Sequence, residues 1–228
     1  MNYDLAQATP REIYNLLIGV VAPRPIALVT SMDLEGNLNA APVSAFNYVA
    51  TDPPVIAIGF ANPPVAQIAA KDTARNIRNT REFVVNVVNE EIAEAMNICA
   101  IDFPPEINEL EIAGLKTAPS TFVKVPRIAQ APASLECREL STIEIGRSKI
   151  VLAQVVGIYV RDEFVDKERT YVLSTEMHAI GRMNGLGNYV KTRDSFLQIP
   201  RISYEEWQSQ NPSNQISSNQ ISSNHEEK

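Results

Sequence analysis

A chain of 228 residues is long enough for one domain with a proper core, or for one domain and an appendage. Its hydrophobic content of 45% is ordinary for a soluble globular protein, and its formal net charge of -7 leaves no basic stripe for a phosphate backbone, which argues against nucleic acid as a partner. No apolar run approaches the roughly 20 residues of a membrane span, and Met1-Asn2-Tyr3-Asp4 carries neither the basic nor the apolar region of an export signal, so the reading is a cytoplasmic protein without a membrane partner.

The first helix signal is Thr9-Pro10-Arg11-Glu12, a capping hydroxyl before a proline at the first helical position, followed by Ile13, Leu16 and Leu17 at helical spacing. Pro23 and Pro25 stop that helix. A hairpin from Arg24 to Asn47 follows: an apolar run Ile26 to Thr30, a turn built on Asp33, Glu35, Gly36 and Asn37, and a second extended segment in which Ala40, Ala41, Ser44 and Ala45 replace bulky core residues. Two strands with hydroxyls and little bulk at their facing ends leave room for a flat molecule against the backbone.

Asp52-Pro53-Pro54 is a turn, and the unbroken apolar run Val55 to Phe60 reads as a buried strand that Asn62-Pro63-Pro64 ends. Asp72 or Thr73 then caps a short helix reaching about Thr80, so that Lys71 stands beside a helix start. Glu82 to Asn89 reads as a strand with Phe83, Val85 and Val87 on one face, and Asn89 as the cap of a helix running through Met96.

Residues 101 to 132 are punctuated by prolines and read as loops and short pieces. Two long strands come next, Ala133 to Ile145 and Lys149 to Val165, separated by Gly146-Arg147-Ser148. Residues 171 to 191 are mixed, and Ser203 to Trp207 suits a short helix. From Gln208 the chain is polar, with Asn214 to Ser218 repeated as Asn219 to Ser223, and is expected to be a disordered tail (208–228) behind one domain (1–207). About six strands, a few helices and no βαβ alternation give a mainly β fold with helical additions, an antiparallel barrel or sandwich.

The sequence carries no GxGxxG, no Walker lysine motif and no GxSxG elbow, and its two histidines and the isolated Cys99 and Cys137 favour neither a metal site nor a disulfide. The pairs Glu90/Glu91 and Glu205/Glu206 are adjacent and diverge on a helix, which leaves no acid/base dyad and no catalytic side chain to name. What remains is a set of anion-friendly positions: Thr30 and Ser31 at a strand end, Ser44 on the next, and Lys71 with Thr73 and Asn76. Their spacing alone is equally compatible with ordinary turn capping.

At these residues the sequence resembles a known family. RPIALVTS, NAAPVSAFN, DPPVIAIGF, KDTARNIRNTREFVVNVV and the later GRM…Y segment are similar, in the same order, to the flavin reductase-like proteins of the FMN-binding split-barrel superfamily, from about Leu17 to about Tyr189. The resemblance implies a six-stranded antiparallel split barrel, a homodimer, and FMN near the subunit interface with NADH or NADPH as co-substrate. It implies that Thr30 and Ser31 meet the phosphate or ribityl chain, that Ala41, Pro42, Val43, Ser44, Phe46 and Asn47 run along the isoalloxazine, and that Lys71 and Thr73, supported by Asn76, hold the phosphate. Arg182 and Tyr189 belong to the segment such proteins place near flavin or nicotinamide.

The implied activity is hydride transfer from NAD(P)H to flavin, with a small-molecule substrate, a flavin-dependent oxygenase or another electron acceptor downstream. Met183 to Asn188 departs from the compact glycine-rich segment of many reductases, which keeps open an FMN-binding electron-transfer protein without nicotinamide turnover. A pyridoxal-phosphate-handling relative on the same barrel is a further alternative.

Overall fold

The computed structural model describes residues 1–60, 68–104, 107–193 and 196–210, with side chains in the helix after 67 described from Asp72 onward. The chain divides into two units, Met1–Asp194 and Ser195–Lys228. Helix α1, Pro10–Val20, starts as its sequence predicts: Glu12 N–H donates to Thr9 Oγ1 at 3.3 Å while the Glu12 carboxylate accepts from Thr9 N–H at 2.8 Å. None of its residues is buried.

Strands β1 (Ala27–Met32) and β2 (Leu38–Val43) form the expected hairpin, followed by β3 (Phe46–Thr51) and β4 (Pro54–Phe60). Asp33 closes the β1–β2 turn, accepting from the N–H groups of Glu35 (3.0 Å) and Asn37 (2.8 Å), and the Asn37 side-chain amide holds its carboxyl below the usual range. Helix α2 is Ile68–Thr80, β5 is Glu82–Val87, and α3 and α4 are the short helices Ala93–Ile98 and Glu109–Ile112. The two-residue strands β6 (Thr117–Ala118) and β7 (Arg127–Ile128) precede the long pair β8 (Ala133–Ile145) and β9 (Ser148–Val160). After a single 3-10 turn, Asp162–Phe164, come the small ladders β10 (Val165–Asp166) with β11 (Tyr171–Val172), and β12 (Ile180–Arg182) with β13 (Tyr189–Lys191).

The main sheet is antiparallel and seven-stranded, in the order β2-β1-β5-β8-β9-β4-β3. The count exceeds the expected six because the stretch 38–51 bends at Ser44-Ala45 and pairs at both ends, with β1 before the bend and with β4 after it. Its two halves are the two edges of the sheet, joined by two residues. The β3–β4 pairing continues into this corner, where Gly59 N–H donates to Ala45 O at 2.7 Å.

Alternation along β1 explains its unbroken apolar run. Ala27 and Val29 face a core with Ile56, Ile58, Phe83, Val85, Ala153 and, from α2, Ile77. Ile26 and Leu28 face a second core under α3 and α4, with Ile92, Met96, Leu110 and Ile128. Both faces of the strand are covered, so both are apolar.

Other expectations shift. The helix expected to begin at Asp72 or Thr73 is already helical at Ile68, because Asp72 pairs with Arg75 within the helix instead of capping it. Asn89 Oδ1 does accept from Ile92 N–H at 3.3 Å, but the helix starts only at Ala93. The last long strand stops at Val160, where the 3-10 turn breaks its ladder short of Val165. In the second unit, α5 (Tyr204–Gln210) extends past Trp207 into the expected tail, with Tyr204 and Trp207 stacked at 6.3 Å; residues 211–228 of that tail lie outside the described residues.

Candidate functional site

The corner that joins β2 to β3 is built from small residues. Ala40 and Ala41 are fully buried, Ser44 is half-buried, and Ala45 and Asn47 are exposed. Ala40 N–H points away from β1 and is met by Glu109 Oε2 at 3.4 Å. Pro42, two residues on, presents its missing N–H on that same outer side, where an edge strand tolerates proline. Burial pushes the Glu109 carboxyl above its ordinary value, and Asp72 adds to the shift, against the hydrogen bond from Ala40. Among the described residues strand β3 pairs with β4 alone, so its outer edge has no strand partner there, and Tyr48 and Val49 on it are exposed.

Helix α2 is tied to the hairpin by a buried polar seam. Asn39 Nδ2 donates to Thr73 Oγ1 at 2.7 Å, and Asn76 Nδ2 donates to Ser31 Oγ at 3.3 Å. All four residues are buried. Ser31, Thr73 and Asn76 are thus brought together, as side chains bonded within the protein. Lys71 is the fourth residue of α2, in its first turn, and its side chain lies outside the described residues.

Thr30 lies elsewhere. Consecutive strand residues face opposite sides, and the Thr30 hydroxyl donates to Pro126 O at 2.8 Å while accepting from Asn86 Nδ2 at 3.3 Å. Asn86 is the hub of that network: its amide also donates to Leu28 O and accepts from Ile128 N–H (2.8 Å) and the Ser134 hydroxyl (2.9 Å). Thr30 and Ser31 do not turn their side chains to one anion, because the strand divides them.

The late segment meets the hairpin through Arg24. Its backbone pairs with Arg182, N–H to carbonyl in both directions at 2.9 and 2.8 Å. Gly181 allows this approach, since a Cβ there would lie 2.9 Å from Pro23 Cβ. The Arg24 guanidinium donates to the carbonyls of Ile18 (2.6 Å) and Val21 (2.8 Å) at the end of α1, and to Ser44 Oγ at 3.4 Å. Burial lowers its pKa from the ordinary value; Tyr14 opposes that shift and Arg182 adds to it. Arg182 in turn donates to the Tyr189 hydroxyl and lies over the Tyr189 ring, 4.7 Å from its centre.

Ser44, Arg182 and Tyr189 are therefore linked through Arg24, while Phe46 and Asn47 continue from the corner along β3, and Ala41 and Val43 are buried in the β1–β2 ladder. Arg24, Asn39 and Asn86 are positioning residues that motif reasoning passed over. Arg24 had one signal, a cation held between two prolines on an otherwise apolar approach. His178 is half-buried in a left-handed conformation (φ 49°), its carbonyl accepting from Glu90 N–H. Among the described residues no group of three His, Cys, Asp or Glu side chains could hold a metal ion, and no helix is long and apolar enough to cross a membrane.

The sequence model of the flavin reductase like domain matches residues 21–180, the hairpin, α2 and the whole main sheet. The chain belongs to the flavin reductase-like family. A relative of this family member, an uncharacterized protein of Deinococcus radiodurans, is 40% identical over 214 residues, covering 92% of this chain and 93% of that one. Among solved structures, 2-nitrobenzoate 2-nitroreductase NbaA of Pseudomonas fluorescens is similar at 39% identity and a TM-score of 0.79, covering 89% of this chain and 98% of that one. Nitrilotriacetate monooxygenase component B of Bacillus cereus is similar at 31% identity and a TM-score of 0.79, covering 87% and 98%. A Shewanella frigidimarina protein with a split barrel domain shares the fold at 18% identity and a TM-score of 0.75, covering 89% and 100%.

Proposed function

We propose that this flavin reductase-like protein is an FMN-dependent oxidoreductase that takes hydride from NADH or NADPH, on a six-stranded split barrel in which the bent stretch 38–51 counts as one strand. The observation that carries the reading is the corner at Ser44–Asn47: small side chains, an exposed backbone and an edge strand without a partner suit a flat ring with hydrogen-bonding edges. The donor set fits such a ligand, with Ser44 and Asn47 at the corner and Arg182 and Tyr189 beside it. Lys71 of α2 would hold the phosphate end, while Thr73, buried against Asn39, would set the position of the helix that carries it. The chemistry FMN supplies when bound is hydride acceptance and donation. The chain's own residues bind, orient and exclude water: the seam between Ser31 and Asn76 fixes α2 against the hairpin, and Arg24 fixes Ser44 against the late segment.

Exposed Tyr48 and Val49 on the edge strand support a homodimer as the assembled form. The downstream acceptor is a small molecule or a partner oxygenase; NbaA acts on a nitrobenzoate, and component B serves a monooxygenase. The deciding experiment is the visible spectrum of the purified protein with FMN, followed by NADH and NADPH oxidation. A colourless protein that neither takes up FMN nor oxidises either nucleotide with it would sink the proposal. One observation favours a second reading, an electron-transfer protein without nicotinamide turnover: the loop 183–188 folds down onto α1. A yellow protein that photoreduces cleanly but leaves NAD(P)H untouched would select it.

A further inference from the structure

Between α1 and the loop 183–188 lies a half-open cavity of about 470 Å³, lined by none of the residues proposed to hold the flavin. Its size is that of a small-molecule site, roughly 300–1,000 Å³. Arg11, Tyr14, Asn15 and Ile18 line it from one helical face, and Asn184, Gly185 and Leu186 from the loop.

The loop is shaped for this wall. Met183 N–H donates to Asn188 O at 3.0 Å, and Asn184 Oδ1 accepts from Leu186 N–H (3.1 Å) and Asn188 Nδ2 (3.0 Å). With its oxygen used inside the loop, the Asn184 amide keeps Nδ2 as a donor. Gly185 is where the loop touches the helix: a Cβ there would lie 2.8 Å from Ile18 Cδ1.

The lining holds one cation and no carboxylate. In a protein of net charge -7, Arg11 has no acidic partner among the described residues, and neighbouring Glu12 is engaged by Thr9. Arg11 and the Asn184 amide supply donors, with planar bidentate geometry available from the guanidinium. Tyr14, Ile18 and Leu186 supply an apolar wall of which Leu186 is 86% exposed, so an apolar body would cover it. We infer that this cavity binds a small organic carboxylate with an aromatic-sized apolar body, held by Arg11.

The test uses the full-length protein with FMN in excess, so that flavin sites are filled, and benzoate as probe against its neutral isostere benzamide, read by ligand-observed NMR. Benzoate should bind more tightly than benzamide. Arg11→Gln should weaken benzoate by about tenfold or more, the loss of a charge-assisted pair, and leave benzamide unchanged. Leu186→Asp, at an exposed position, should weaken benzoate selectively by placing a carboxylate at the rim. Equal binding of both probes, benzoate binding indifferent to both substitutions, or no benzoate binding at about 10 mM would each overturn the inference. The visible spectrum of the same sample reports flavin separately, so a protein that takes up no FMN still shows whether the cavity binds benzoate.

Discussion

Asn76 bridges α2 to Ser31 with one end of its amide, while the other end, Oδ1, is buried with no hydrogen-bond partner among the described residues. A buried orphan acceptor costs roughly 1–3 kcal/mol, so this position is held for where it puts the helix as much as for stability. Asn76→Ala removes the orphan together with the donor to Ser31 and leaves a void. The donor and void terms together outweigh relief of the orphan, and the expected net loss is about 1–2 kcal/mol by urea denaturation. An unchanged midpoint would mean that the seam does not hold α2.

Lys71 is the phosphate partner that the proposed function needs. If it meets an FMN phosphate, Lys71→Ala should weaken FMN by about 1.5–3 kcal/mol while riboflavin affinity barely moves. Isothermal titration with both flavins separates the outcomes, and equal losses would place Lys71 elsewhere.

Glu109 gives a pH dependence with a definite sign. The unfolded chain releases its proton near the ordinary carboxylate pKa, the folded chain only at higher pH because burial disfavours the charge. Between those values the folded state binds more protons, so stability falls as pH rises through the window and stays lower above it. Glu109→Gln keeps an acceptor for Ala40 N–H and removes the buried charge. It should melt a few degrees above the parent near neutral pH, with the gap closing toward about pH 4. A gap that widens in acid would reverse the assignment.

Much of this architecture is legible in the residues, and the reason differs by element. The α1 start shows because Thr9, Pro10 and Glu12 act locally, and the long strands β8 and β9 show because they flank a turn at Gly146 and β9 is rich in β-branched residues. The bend at Ser44-Ala45 does not show, since it depends on β4 arriving from 54–60 to pair with residues 46–51. The start of α2 is missed for the opposite reason: Asp72 looks like a cap, but its partner is Arg75, one helical turn on. For the site, small residues at 40–45 mark the corner correctly as low in bulk. That Thr30 and Ser31 face different interiors follows only from the strand register, and Arg24 gains its meaning from Ile18, Val21, Ser44 and Arg182, none of which its own neighbours announce.

Arg24 offers the sharpest test of that joint. Its guanidinium donates through Nη1 to two carbonyls at the end of α1 and through Nε to Ser44, a spread that a single ammonium cannot reproduce. No residue of α1 is buried, so these bonds are a main tie between the helix and the hairpin. Arg24→Lys should therefore loosen α1 selectively: amide exchange across residues 11–20 rises by about tenfold or more, equivalent to losing ~1.4 kcal/mol of local protection, while β8 and β9 exchange as before. Because Arg24 also holds Ser44, any bound flavin should release faster in the same variant. Uniform exchange across α1, β8 and β9, or no change in α1 at all, would show that the helix is held by its other contacts and that Arg24 is not the joint.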